Sequence, residues 1–165
     1  MNGMNRRDMC VALSSFAALA AVAAEAGGQE PGKLPETMAV PKPPGSVGDP
    51  VLTTPHAFRF EDLPVVKTAN GETRAVIRGV LPTGEAVEMH ETTLLPGHMP
   101  HPPHQHEHSE FMLIREGSME FENNGVPQRA GPGGVFFATS NILHGLKNVG
   151  DTTANYFVIA MGGVG

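Results

Sequence analysis

The sequence predicts an all-β domain closed into a single sandwich or barrel. Three observations carry this. Short segments rich in β-branched and apolar residues recur at close spacing, divided by Gly, Pro, Asn and Asp turn chemistry. Beyond the N-terminal stretch, no window holds a helical period. Of 165 residues only 17% are charged, whereas 20 are Gly and 15 are Pro. That balance suits a turn-rich chain with one core and not two.

The elements follow in order. Residues 1–26 have the layout of an export signal: a positive stretch with paired Arg6 and Arg7, an uncharged run from Val11 to Ala24, and an Ala24-Glu25-Ala26 cleavage site. The arginine pair resembles a twin-arginine signal, with Met9 and Cys10 in place of the usual Phe-Leu. The apolar run is shorter than the roughly 20 residues a spanning helix needs. The expectation is therefore an exported protein, periplasmic or secreted, with no membrane segment in its mature form. Its only cysteine, Cys10, would leave with the signal, so no disulfide or thiol chemistry is expected.

Residues 27–56 read as a Pro/Gly-rich arm or linker, whose end either spaces the leader or packs along a barrel edge. The domain then runs over 57–165. Its expected strands are Phe58–Glu61, Pro64–Thr68, Arg74–Leu81, Ala86–Leu95, Phe111–Arg115, Ser118–Glu122, Val126–Ala130, Val135–Ala138, His144–Val149 and Ala154–Met161. Turns at Asn70-Gly71, Pro82-Thr83-Gly84, Glu116-Gly117, Asn123-Asn124-Gly125, Gly131-Pro132-Gly133 and Gly150-Asp151 separate them. The formal charge of −6 argues against phosphate-backbone binding. The lack of Trp and the single Tyr leave little to stack on bases or sugars. Nucleic acid is thereby excluded as a partner.

The stretch richest in chemistry is Pro100-His101-Pro102-Pro103-His104-Gln105-His106-Glu107-His108-Ser109-Glu110. On an extended chain His104 and His106 point to one side, and the prolines before them disfavour helix. Glu110 follows past a short turn, and His144 is the only histidine downstream. Imidazole nitrogen and carboxylate oxygen suit one divalent first-row transition metal. The competing reading is a satisfied polar cluster without metal. It is disfavoured because burying such groups without a cation is costly.

Gly97, His104, His106, Glu110 and Gly117 resemble the first motif of the cupin superfamily, Gly-x5-His-x-His-x3/4-Glu-x6-Gly, with one extra residue after Gly97. Gly133, His144 and Asn148 fall in register with the second motif, Gly-x5-Pro-x-Gly-x2-His-x3-Asn, while Thr139 and Asn141 replace its proline and second glycine. The resemblance implies a cupin-type jelly-roll or double-stranded β-helix barrel. It implies metal ligation by His104, His106, Glu110 and His144, and a homodimer of the kind many cupins form. It also implies a small-molecule substrate or ligand and an oxygenase-type reaction. A decarboxylase, isomerase or lyase on the same ligands, a non-catalytic binding cupin, and a metal buffer built on His98 to His108 are the alternatives.

Met112 and Ile114 share the parity of Glu110 and, with Phe137, Leu146, Tyr156 and Val158, could line a pocket; core packing is the plain alternative for each. Tyr156 adds a phenol that could donate a proton. His98 and His101 are expected exposed at the rim, and His108 in a turn facing solvent or a neighbouring loop. His90, with Glu88 and Thr92 of equal parity, is expected either exposed or behind the ligands. His56 carries no reading. Arg115 and Arg129 read as surface residues, with an anionic substrate as the alternative. Asn148 is expected to fix a loop. No further acid–base pair stands out, which favours chemistry done by a metal itself.

Overall fold

The computed structural model describes residues 34–163. The expected export signal and the start of the arm lie outside these residues. No helix among the described residues is long and apolar enough to cross a membrane.

The described residues form nine strands: β1 (Val65–Thr68), β2 (Gly71–Val80), β3 (Glu85–Leu94), β4 (Ser109–Glu116), β5 (Met119–Asn123), β6 (Val126–Ala130), β7 (Val135–Ala138), β8 (His144–Asn148) and β9 (Ala154–Gly163). They build two antiparallel sheets, one in the order β1-β2-β3-β9-β4-β7 and one in the order β6-β5-β8. The insertion of β9 between β3 and β4 brings the end of the domain to the centre of the large sheet. This all-β sandwich is the class that the strand and turn pattern predicts.

Turn chemistry explains the small sheet. Asn124 and Gly125 both have positive φ, 46° and 81°. Such a two-residue turn matches the twist of the flanking strands, and Asn-Gly tolerates it. β6 carries Pro127 and lies at the sheet edge, where a missing N–H costs no ladder bond.

The core lies between the sheets. Leu94, Met112, Ile114, Phe136, Ala138, Ala154, Tyr156 and Val158 come from the large sheet, and Met119, Phe121 and Leu146 from the small one. Phe121 and Phe136 stack across the gap with centroids 5.3 Å apart.

Three expectations need correction. Phe58–Glu61 is not a strand: Phe60–Asp62 is a single turn of 3-10 helix. The aromatic residue is taken up elsewhere, with the Arg74 guanidinium 4.3 Å and that of Arg115 5.7 Å from the Phe60 ring. Phe137 does not face the interior. In β7 the inward positions are Phe136 and Ala138, while Phe137 is 51% exposed and pairs with Phe111 on the outer face. An all-apolar segment such as Val135–Ala138 hides its own alternation. His108 is buried, not solvent-facing.

The described part of the arm lies along the domain and forms one compact unit with it from Leu34 onward. Met38 inserts into the core, and its N–H donates to Pro100 O at 2.8 Å. Val51 bridges Val80 in parallel. Arg78 donates from Nε to Asp49 Oδ1 at 2.8 Å and from Nη1 to Lys42 O at 2.6 Å.

Candidate metal centre

The loop from Leu95 to His108 carries the first two imidazoles. It is tied at His104, whose N–H donates to His144 O while the His144 N–H returns a bond to His104 O, both at 2.9 Å. This reciprocal pair sets the two rings side by side, with centroids 4.9 Å apart. His106 is two residues on and points to the same side. Its ring lies 5.0 Å from that of His104 and 4.8 Å from that of His144.

The turn before His144 is where the sequence departs from the second motif. Asn141 takes φ 59° there, the left-handed conformation a glycine supplies and asparagine tolerates. Its N–H donates to His106 O at 2.7 Å. The asparagine thus does the glycine's conformational work and ties the two histidine segments together. Asn148 is fully buried: its Nδ2 donates to Leu94 O at 3.0 Å and Thr152 O at 2.8 Å, and its Oδ1 accepts from Gly150 N at 3.0 Å. It fixes a loop, as expected.

Glu110 enters from the start of β4. Its Oε1 is 3.2 Å from His106 Nε2 and its Oε2 3.5 Å from His144 Nε2. Donors sharing an ion at about 2.1 Å stand about 3–3.5 Å from one another, so these separations suit a common cation. The ligand atoms of His104, His106 and His144 all lie within 4.8 Å of one another; those of His106, His108 and Glu110 form a second such group. Each group could hold a metal ion.

The ring tautomers are set by the main chain. His106 Nδ1 is 2.8 Å from His108 O, and His144 Nδ1 is 2.9 Å from Ile142 O. A carbonyl only accepts, so each Nδ1 carries the proton and each Nε2 keeps its lone pair. Those Nε2 atoms, with His104 Nδ1, are buried and have no hydrogen-bond partner. Buried lone pairs without donors are costly unless a cation meets them. The residues therefore fit a divalent metal.

Electrostatics agree. Burial, with the neighbouring His101, His144 and His106, pushes His104 down to about 4. Burial would also lower His106, but the Glu110 carboxylate overrides it and raises the ring above its ordinary value. Glu110 is buried, which would raise it, yet His106, His108 and His144 hold it well below the usual carboxylate range.

The remaining residues sort by place. Sequence reasoning put His108 outside, yet its Nε2 sits 3.1 Å from Glu110 Oε1 and its ring stacks on that of His106, with centroids 3.6 Å apart and planes within 3°. The available signal was parity: His104, His106 and His108 alternate with Gln105 and Glu107, which are exposed. His101 is half-buried, edge-on to His104 at 4.4 Å, whereas His98 is exposed. Met112, Ile114, Leu146, Tyr156 and Val158 are all buried in the core cluster. Burial pushes the Tyr156 phenol above its ordinary range, so it stays neutral. Arg115 and Arg129 lie at the surface and pair with Glu116 and Glu120.

Fold and site together define a small all-β protein of the cupin kind. Residues 90–160 match the family described as the cupin domain, and the fold that carries them is the cupin fold. Solved structures share its fold. A cupin described as RmlC-like, from Shewanella frigidimarina, is 17% identical, with TM-score 0.55 over 66% of this chain and 91% of that one. KdgF from Halomonas sp. is 20% identical, with TM-score 0.55 over 65% and 94%. A mutant of the Bacillus subtilis oxalate decarboxylase OxdC is 21% identical, with TM-score 0.53 over 62% of this chain but only 28% of that one. No curated protein matches the sequence.

Proposed function

We propose that the protein is an exported, metal-dependent cupin enzyme. Its centre, on our reading, is one divalent transition metal (Fe, Mn, Ni or Zn) held by His104, His106, Glu110 and His144, and its substrate a small organic molecule. The observation that carries this is the convergence of buried, partnerless imidazole nitrogens on one carboxylate. Such an ion would supply Lewis acidity and, with open positions, a place for substrate and O2. The chain's own part is orientation. The carbonyls of His108 and Ile142 fix two ring tautomers, and His108 holds Glu110 from the side away from His144. The Phe121 ring, 6.0 Å from that of His144, brings the apolar core up to the site.

We assign an oxygenase-type reaction as the first reading. A decarboxylase, isomerase or lyase is the second, and one observation favours it. A buried acid–base pair stands on the core face of β3, with His90 Nδ1 3.0 Å from both oxygens of Glu88. Its presence removes the argument for purely metal-borne chemistry. The test is elemental analysis of the exported protein, followed by O2 uptake against catechols, flavonols, thiols and short keto acids. About one tight ion per chain and substrate-dependent O2 uptake are expected. Turnover under strict anaerobiosis selects the second reading. Ion retention without any turnover selects a binding protein, and more than one ion per chain selects a buffer. Export itself is tested by N-terminal sequencing of the periplasmic or secreted form, expected to begin at about residue 27.

A further inference from the structure

We propose that Glu88 and His90 form a second anchoring point inside the sandwich, where His90 donates from Nε2 to an anionic oxygen at the far end of a short organic dianion whose near end is held at the metal centre. This rests on the metal-centre reading above.

The register places the pair. Glu88 in β3 lies opposite Ala160 in β9, and Ala160 lies opposite Glu110 in β4. His90 lies opposite Val158, and Val158 opposite Met112. Residues directly opposite in antiparallel strands share a face, so Glu88, His90 and Glu110 all face the interior. Two strand spacings put the Glu88 and Glu110 backbones about 10 Å apart. In that row only the methyl group of Ala160 stands between them, so the carboxylates face each other across a low floor.

The chemistry of the pair gives the ligand class. Glu88 is buried, and His90 Nδ1 meets both its oxygens at 3.0 Å. A carboxylate only accepts, so Nδ1 carries a proton and Nε2 is left for another partner. Burial would keep the ring neutral, but the charge and hydrogen bond of Glu88, with Glu110 and Glu91 beyond, raise it above its ordinary value. The Glu88 carboxylate against Nδ1 thus favours the doubly protonated ring, whose Nε2–H is a donor apart from the ligand set. Stability alone does not account for the pair, because a buried ion pair contributes no more than well-packed apolar residues of the same size. A monoanion reaches the metal or the His90 donor; a short dianion reaches both.

The test uses the full chain loaded with Co(II). Its visible absorption is titrated with acetate and with malonate, succinate and glutarate. One dicarboxylate is expected to bind at least about ten-fold more tightly than acetate. His90→Gln should reduce that preference to the acetate level with Co(II) affinity unchanged, and Glu88→Gln should weaken it. His90→Lys, which keeps a cation on the same face, should restore part of it and guards against misfolding of the Gln variant. Absence of any preference in the wild type, its survival in His90→Gln, or equal behaviour of the Lys and Gln variants overturns the anchor and leaves the metal centre standing. A wild-type chain that takes up no Co(II) overturns the metal centre, and the anchor with it.

Discussion

At the scale of the residue, the imidazoles of the site are unequal. His144 is 4% exposed and fixed at Nδ1 by a carbonyl, and His106 is fixed in the same way. His101 stands in a T-shaped contact with the His104 ring and outside the ligand set. Isothermal titration with Co(II) should therefore show a far larger loss of affinity for His106→Ala or His144→Ala than for His101→Ala; equal losses would mean that the ligand set is wrong. His108→Ala should fall between them, at about ten-fold, because it removes the contact that orients Glu110 and the stacking on His106 but none of the four proposed ligands. Protonation gives a second prediction. Wherever His106 takes a second proton, at Nε2, a metal must displace it, and Glu110 raises that ring above its ordinary value, whereas His104 stays neutral until about 4. Affinity should thus be highest in mild alkali and fall as pH drops through the neutral range, with His104 adding its own loss only near its low value. Metal retention that is flat from neutral pH to about 4 at equilibrium would contradict this.

At the scale of the element, position within the sheet decides which side chains meet. Gly117 ends β4 with φ 84°, and a Cβ there would lie 2.6 Å from that of Ala154. Both conformation and space exclude a side chain, so Gly117→Ala should cost about 1–3 kcal/mol in urea unfolding. Co(II) affinity should hold, since the glycine lies at the far end of β4 from Glu110. Unchanged stability would show that the turn relaxes freely. This glycine was legible as a motif position, and so were Glu110, His104, His106 and His144, because local spacing and parity specify them. The facing of Phe137 was not, because both residues of a Phe-Phe pair look equally fit for a core. Nor was the 3-10 turn at Phe60, whose aromatic ring lies beside two arginines from other strands. The Glu88–His90 pair was half legible: parity put both on one face, but their relation to Glu110 depends on β9, which pairs from some 70 residues later in the chain.

At the scale of the whole molecule, the large sheet has one face on the core and one apolar face turned outward. Phe137 pairs with Phe111 and Phe111 with Ile159, while Val135 and Leu113 form the next row. Phe111, Leu113, Val135 and Phe137 are all exposed. Such a contiguous patch marks an association surface, and we propose that a second copy covers it. Sedimentation should give a dimer mass that Phe137→Glu reduces to that of a monomer; a wild-type monomer at high concentration would end the proposal. The cupin architecture itself was readable from turns, short strands and two motifs, whereas this outward face was not, since apolar residues on both sides of a strand leave no alternation to read.

The main-chain clasp between His104 and His144 joins the long loop after β3 to the first residue of β8. Folding alone therefore spaces two of the nitrogens before any ion arrives. On the metal-centre reading, ion capture would then need no late ordering of the main chain at these two positions. Loading should proceed as a single bimolecular encounter, its speed governed by shedding water from the arriving cation, and the emptied protein should keep its shape.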